Sequence, residues 1–192
     1  DGITLFGGRF IQHDMTLYDQ FKSYMRVSVD CGRNPTPSKV CPAGVGNSYL
    51  KNGYETYSGS WCNEDKTICR ANINWFIDDG AFVLPNGMLV GFENNSGDNQ
   101  YTMISIDING KNKSPNRWGW DIFTFQVVGE DVLPVGAKGT MFKETITDDY
   151  RFDEDPDRWC DATDSSGKMN GITCSYKALE DEDYFKKIYG GR

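Results

Sequence analysis

The spacing of apolar and polar positions changes twice along the chain. In MTLYDQFKSYMRVSV, residues 15–29, Leu17, Phe21, Tyr24 and Met25 recur at helical spacing, and Asp14 stands where an N-cap belongs. This predicts a helix over 14–30. Pro, Gly, Asn and Ser then predominate to about residue 48, and from Tyr49 to Trp75 aromatic residues mix with Gly and Asn without a period, which predicts irregular loop with one or two short strands. Beyond Gly80 the period shortens to two. GAFVLPNGMLVGFE places two apolar runs around Pro85-Asn86-Gly87, a hairpin signal, and YTMISIDI and WDIFTFQVV alternate and are rich in β-branched and aromatic residues. Together they predict an antiparallel meander over 80–136. In the closing CSYKALEDEDYFKKIYGGR, Leu179, Tyr184 or Phe185, and Ile188 share the face of a short helix that Gly190 can stop. The sum is one α+β domain over 1–192: an N-terminal helix packed on a small antiparallel sheet, with a C-terminal region at 160–190.

Composition narrows the partners. Five Trp, eleven Phe and ten Tyr supply ample surface for a core, so a solvated, unfolded chain is excluded. The net charge of −8 opposes nucleic-acid binding, which draws its affinity from Lys and Arg. Lys111, Lys113 and Arg117 form the notable basic cluster, and it suits a local contact only.

The six cysteines fall into local couples, Cys31 with Cys41, Cys62 with Cys69, and Cys160 with Cys174. An even number without CxxC or Cys/His knuckles reads as disulfides rather than zinc ligands, which implies an oxidising compartment. Connectivity stays open at this level, and local pairing is expected because Pro, Gly and polar residues fill the three spans. No run of residues is long and apolar enough to span a membrane, and no signal peptide is visible, so an export signal is expected to have been removed or to lie upstream, the chain being a mature or truncated form.

Chemistry concentrates in DINGKNKSPNRWGWDIFTF, residues 107–125, where apolar runs flank a loop of Asp, Asn, Gly and Pro. As an EF-hand it fails, because Lys111 occupies the fifth position, Gly110 the fourth and Trp118 the twelfth. A hairpin closing between Ile108 and Trp120 would still bring Asp107, Asn109 and Asp121 together, a looser oxygen set of the kind calcium takes. The opposing expectation is an ordered loop in which these residues accept hydrogen bonds from loop amides, Gly110 and Gly119 take positive φ, and Pro115 stiffens the tip. The run containing Asp153, Asp155 and Asp157 is a second, weaker calcium candidate. His13 is the single histidine, neither GxSxG nor HExxH occurs, and nothing selects a carboxylate pair, so no catalytic residue and no enzyme activity is expected. Trp118 and Trp120 would share one face of a strand and could stack on sugars, the alternative of a secreted carbohydrate-binding or adhesion module.

The segment DINGKNKSPNRWGWDIFTFQV followed by EDVLPVG resembles the DxNGxxxPNxxGxDxFxF … LxPxG segment of type IV pilin-like and type II secretion pseudopilin-like proteins. VLPNGMLVGF is similar to their LxDGxxI strand, and GITCSYKALEDEDYFKKIYG to their C-terminal Gly-x-x-Cys segment. The resemblance covers about residues 82–136 and 160–190. It implies a bacterial pilin or pseudopilin headgroup: the end of a long helix on an antiparallel sheet, a disulfide-bounded C-terminal region, a structural role and partners that are other subunits of the same filament. It also implies a place on a cell-surface filament or in the periplasm, and an inner-membrane anchor before assembly through an apolar helix absent from this chain. Calcium is the cofactor that some members hold in such loops. DGITLFGGRFIQHDMTLYDQ departs from the family in carrying neither the leader nor the apolar half-helix with its Glu.

Overall fold

The computed structural model describes residues 16–33, 35, 38–42, 76–77, 79–95, 101–113, 115–143, 149–161 and 169–190. A six-stranded antiparallel sheet dominates it: β1 (Val29–Gly32), β2 (Gly80–Val83), β3 (Leu89–Asn95), β4 (Tyr101–Asp107), β5 (Ile122–Val128) and β6 (Asp131–Pro134), each paired with its neighbour in sequence. The alternation read from the sequence fixes the register. Phe82 faces Val90, Val90 faces Ile106 and Ile106 faces Phe123, while Val83 faces Leu89 and Asp107 faces Ile122. One face therefore collects Phe82, Val90, Phe92, Ile104 and Val127, and the other collects Ala81, Val83, Leu89, Met103 and Ile122. A slip of one residue would exchange the two faces, so burial on both sides locks the pairing.

Each face has its own cover. Helix α1 (Thr16–Tyr24) lies on the first, with the Tyr18 ring 6.1 Å from Phe82 and 5.9 Å from Phe92, and Phe21 5.5 Å from Phe92. It comes this close because residue 80 is glycine: a Cβ there would stand 2.5 Å from the Tyr18 ring. The second face packs against Phe76, Trp118, Phe142, Phe152, Met169 and Ile172. Phe142 belongs to, and Phe152 directly follows, a small hairpin, β7 (Met141–Lys143) with β8 (Asp149–Arg151). Gln126 couples the two sheets, donating to Met141 O at 2.7 Å and accepting from Met141 N–H at 2.8 Å, as a neighbouring strand would. A 3-10 turn (Pro156–Trp159), α2 (Cys174–Glu180) and α3 (Tyr184–Tyr189) complete the described chain.

The α+β, pilin-like expectation is overturned by this architecture. The described residues are mostly β, and their α-helices run to nine, seven and six residues, so among the described residues a long N-terminal helix on a small sheet is not what forms. The helix expected over 14–30 ends at Tyr24, and Val29–Gly32 extends as an edge strand. The physical reason lies in Val27 and Val29, which lose side-chain freedom in a helix, and in the open edge of β2, where Ser28 N–H donates to Val83 O at 2.8 Å. The acidic stretch around Asp153, the weaker calcium candidate, also places Tyr150, Phe152 and Trp159 in or against the core. At the C-terminus two short helices replace one, and Leu179 is 65% exposed rather than on a buried face.

Two of the expected disulfides form, Cys31–Cys41 and Cys160–Cys174, with Cα separations of 5.5 and 4.8 Å. Cys62 and Cys69 lie outside the described residues. Paired cystines are the pattern of an oxidising compartment. Among the described residues no helix is long and apolar enough to cross a membrane.

The Tyr18 hydroxyl pins α1 to the sheet, donating to Asp30 Oδ1 and lying 3.3 Å from Ala81 O. Burial, and then the bond to Asp30, push the phenol up from 10.0 to about 12. A folded-state value above the unfolded one means that this stabilisation is whole below pH 10.0 and is lost as pH climbs through about 12. Tyr18→Phe is expected to cost about 1 kcal/mol at neutral pH. Thermal melting across the alkaline range should show the wild-type advantage over the Phe variant shrinking; an advantage that stays constant would contradict this role of the phenol.

Candidate functional site

Among the described residues, the loop joining β4 to β5 is densely hydrogen-bonded. It closes where Ile108 N–H donates to Asp121 O at 2.8 Å, near the predicted position. At the entrance, Asp107 Oδ1 accepts from the N–H groups of Gly110 (2.8 Å) and Asn109 (3.2 Å). At the exit, Asp121 is fully buried: Oδ1 accepts from Arg117 N–H at 2.6 Å, and Oδ2 from Asn116 N–H at 2.8 Å and Asn109 Nδ2 at 3.1 Å. The two aspartates thus fold the loop inward from both ends. Asn116 takes φ 51°, a left-handed conformation that Asn tolerates, and its Nδ2 donates to Lys111 O at 2.9 Å. Gly110 has φ 81° and packs against the β2–β3 turn, where a Cβ would lie 2.4 Å from Gly87 O.

Charge is used locally. Lys111 Nζ reaches across to the Cys31–Cys41 loop and donates to Ser38 O at 2.8 Å and Cys41 O at 2.9 Å. Burial pushes that amine below its ordinary value. The Arg117 guanidinium sits 5.9 Å from the Trp120 ring centre. Burial pushes the Asp121 carboxyl up, and the N–H groups of Arg117, Asn116 and Asn109 pull it back without cancelling the shift. The buried anion therefore fixes a geometry more than it adds free energy.

The structure brings Asp107, Asn109 and Asp121 together, and it joins them by hydrogen bonds. Calcium asks for roughly six to eight oxygens. Here the Asp121 oxygens already receive N–H donors from three residues, and Asn109 Oδ1 is a buried oxygen that accepts no hydrogen bond. As folded, these residues suit the loop better than the ion. The acidic run is dispersed: Asp153 Oδ2 accepts from Gly139 N–H at 2.8 Å, Asp155 Oδ1 caps the 3-10 turn through Arg158 N–H at 3.2 Å, and Asp157 pairs with Lys177 at 2.6 Å. Burial pushes the Asp153 carboxyl up, yet Gly139 and Arg151 hold it below the usual range. Among the described residues no three His, Cys, Asp or Glu side chains are arranged to hold a metal.

Trp118 and Trp120 do not form a platform. Residues 117–121 turn rather than extend, so the two rings enter different core clusters, Trp118 wholly buried against Phe76 and Trp120 only 9% exposed against Tyr189. Trp118 Nε1 donates to Thr124 Oγ1 at 3.0 Å, which also lies 2.9 Å from Ser105 Oγ, and Thr124 N–H donates to Ser175 Oγ at 2.7 Å. This buried hydroxyl network escapes a sequence reading, although polar residues at inward positions of β4 and β5 are its trace. His13 lies outside the described residues. No family model matches the chain, and neither the curated proteins nor the solved structures searched contain a match to it.

Asp121→Ala would strand two backbone N–H groups and one amide, and is expected to lower stability by about 3 kcal/mol or more in chemical denaturation. Adding calcium or a chelator to the wild type is expected to leave the melting temperature unchanged. A rise of several degrees with calcium would show that the loop holds the ion.

Proposed function

We propose that the protein is a non-enzymatic structural subunit of an extracytoplasmic assembly, a filament or secretion apparatus of the type IV pilus or type II secretion kind, with other subunits of that assembly as partners. The observation that supports it is the construction of the resembling loop. Asp107, Asn109, Gly110, Asn116 and Asp121 are all engaged within the β4–β5 corner or against the adjoining turn, which makes that segment a rigid architectural piece. The role does not carry the long-helix architecture, which the six-stranded sheet replaces. Two disulfides suit exposure outside the cytoplasm, at the cell surface or in the periplasm. The negative balance of charge speaks against nucleic acid as a partner.

A second role, glycan or surface adhesion, is favoured by a different pair of rings from the tryptophans. Phe185 and Tyr189 on α3 are 40% and 39% exposed and parallel to within 6°. Fractionation of the producing cells, followed by cross-linking of sheared filaments and membranes, separates the two. Cross-links to further subunits of a filament or secretion complex are expected. Recovery only as a free monomer in the medium, with glycan binding lost in Phe185→Ala and Tyr189→Ala variants that still fold, would replace the structural role by adhesion.

A further inference from the structure

Four Asn-Gly pairs occur in the sequence, at 52–53, 86–87, 109–110 and 170–171. In this dipeptide the glycine nitrogen can lose its proton and bond to Asn Cγ. The bond from Cγ to Nδ2 then breaks, ammonia leaves, and water opens the resulting five-membered imide to aspartate or isoaspartate. The glycine imposes little steric hindrance, so the folded surroundings decide which pair reacts. Three of the four pairs lie in the described residues, and their surroundings differ.

At Asn109-Gly110 the attacking nitrogen is engaged, because Gly110 N–H donates to the Asp107 carboxylate at 2.8 Å. Gly110 is also pressed against the neighbouring turn, with Gly87 O 2.4 Å from where a Cβ would be, and Asn109 Nδ2 is held by Asp121 at 3.1 Å. At Asn170-Gly171, Gly171 N–H donates to Trp159 O at 2.7 Å, Asn170 is 5% exposed with its Oδ1 accepting from Asp161 N–H at 2.8 Å, and a Cβ on Gly171 would meet Trp118 O at 2.7 Å. Neither place has room for a planar imide. Asn86-Gly87 differs in its space: Asn86 is exposed, and a Cβ on Gly87 would have no atom within 4 Å. Its restraints are single bonds in an open turn, Gly87 N–H to Leu84 O at 2.9 Å and Met88 N–H to Asn86 Oδ1 at 3.2 Å.

We propose that Asn86 is a site of spontaneous deamidation and isoaspartate formation in the folded protein, while the fold protects Asn109 and Asn170. The modification adds a negative charge and, in the isoaspartyl form, one more main-chain methylene between Leu84 and Met88. The Gly87 carbonyl lies directly against Gly110, so the lengthened turn presses on the β4–β5 loop. The β2–β3 turn thereby becomes an age-dependent perturbation of the loop that Asp107 and Asp121 hold.

The test is incubation of the intact protein in mildly alkaline buffer, with peptide mapping by mass spectrometry and enzymatic methyl labelling of isoaspartate, beside the same protein unfolded in urea. Asn86 is expected to react at least about tenfold faster than Asn109 or Asn170 in the folded protein, since those two wait on a local opening and about 1.4 kcal/mol of opening free energy is a factor of ten. In urea the three should react at comparable rates. Asn86→Gln should abolish the early conversion and leave the circular dichroism spectrum unchanged. Similar folded-state rates at all three asparagines, or an Asn86 that stays intact when folded but converts in urea, would overturn the proposal. Peptides carrying Asn52 are scored separately.

Discussion

A buried carboxylate held by converging N–H donors organises the described structure. Asp121 stands at the start of β5, and three N–H groups converge on it from the loop that has just left β4. Because such an anion is costly to bury without its donors, the donors must be in place whenever the strand pair is. That couples the loop conformation to the register of β4 and β5, two adjacent interior strands of the sheet. Around the loop the rest is attached: Gly110 rests on the β2–β3 turn, Lys111 reaches the Cys31–Cys41 loop, and Tyr184 OH donates to Gly119 O at 2.7 Å from α3. Elements far apart in sequence meet at one corner.

The corner also explains why the two sheet faces carry separate clusters. Trp118 and Trp120 leave the same turn in different directions, one sealing the face shared with Phe76 and Phe142, the other packing with Tyr184 and Phe123 beneath α3. The edges of the sheet are short and blunted. β1 has four residues and a register shift between Asp30 and Gly32, and β6 has four, begins with Asp131 and ends with Pro134. Such edges discourage pairing by strand addition. Contacts with other molecules would then fall to exposed side chains, which among the described residues include the large apolar Tyr24, Met25, Val29, Val132, Leu179, Phe185 and Tyr189.

The central strands were legible because their alternation is strong. YTMISIDI and WDIFTFQVV could bury both faces in only one register, and Pro85-Asn86-Gly87 marks its turn through local chemistry. The hairpin loop was legible for the same local reason, since Asp, Asn and Gly act on neighbouring backbone. Long-range choices were not. Helical spacing from Leu17 to Met25 could not reveal that Val29–Gly32 finds an open edge at β2, about fifty residues on, and the acidic stretch near Asp153 hides Tyr150, Phe152 and Trp159, which pack on a core cluster drawn largely from distant elements. Trp118 and Trp120 misled because period-two reasoning applies to strands, whereas Gly119, at φ 77°, turns the chain between them.

Asp121 locks the β4–β5 corner through backbone amides, and native-state hydrogen exchange at Asn116 and Arg117 tests this lock most directly. Both lie in a loop, where amides ordinarily exchange by small local openings. If the carboxylate holds them as described, they exchange as slowly as the amides of β4 and β5, and in Asp121→Ala that protection disappears. Rapid exchange of both amides in the wild type would show that the corner opens freely and that the sheet does not depend on it.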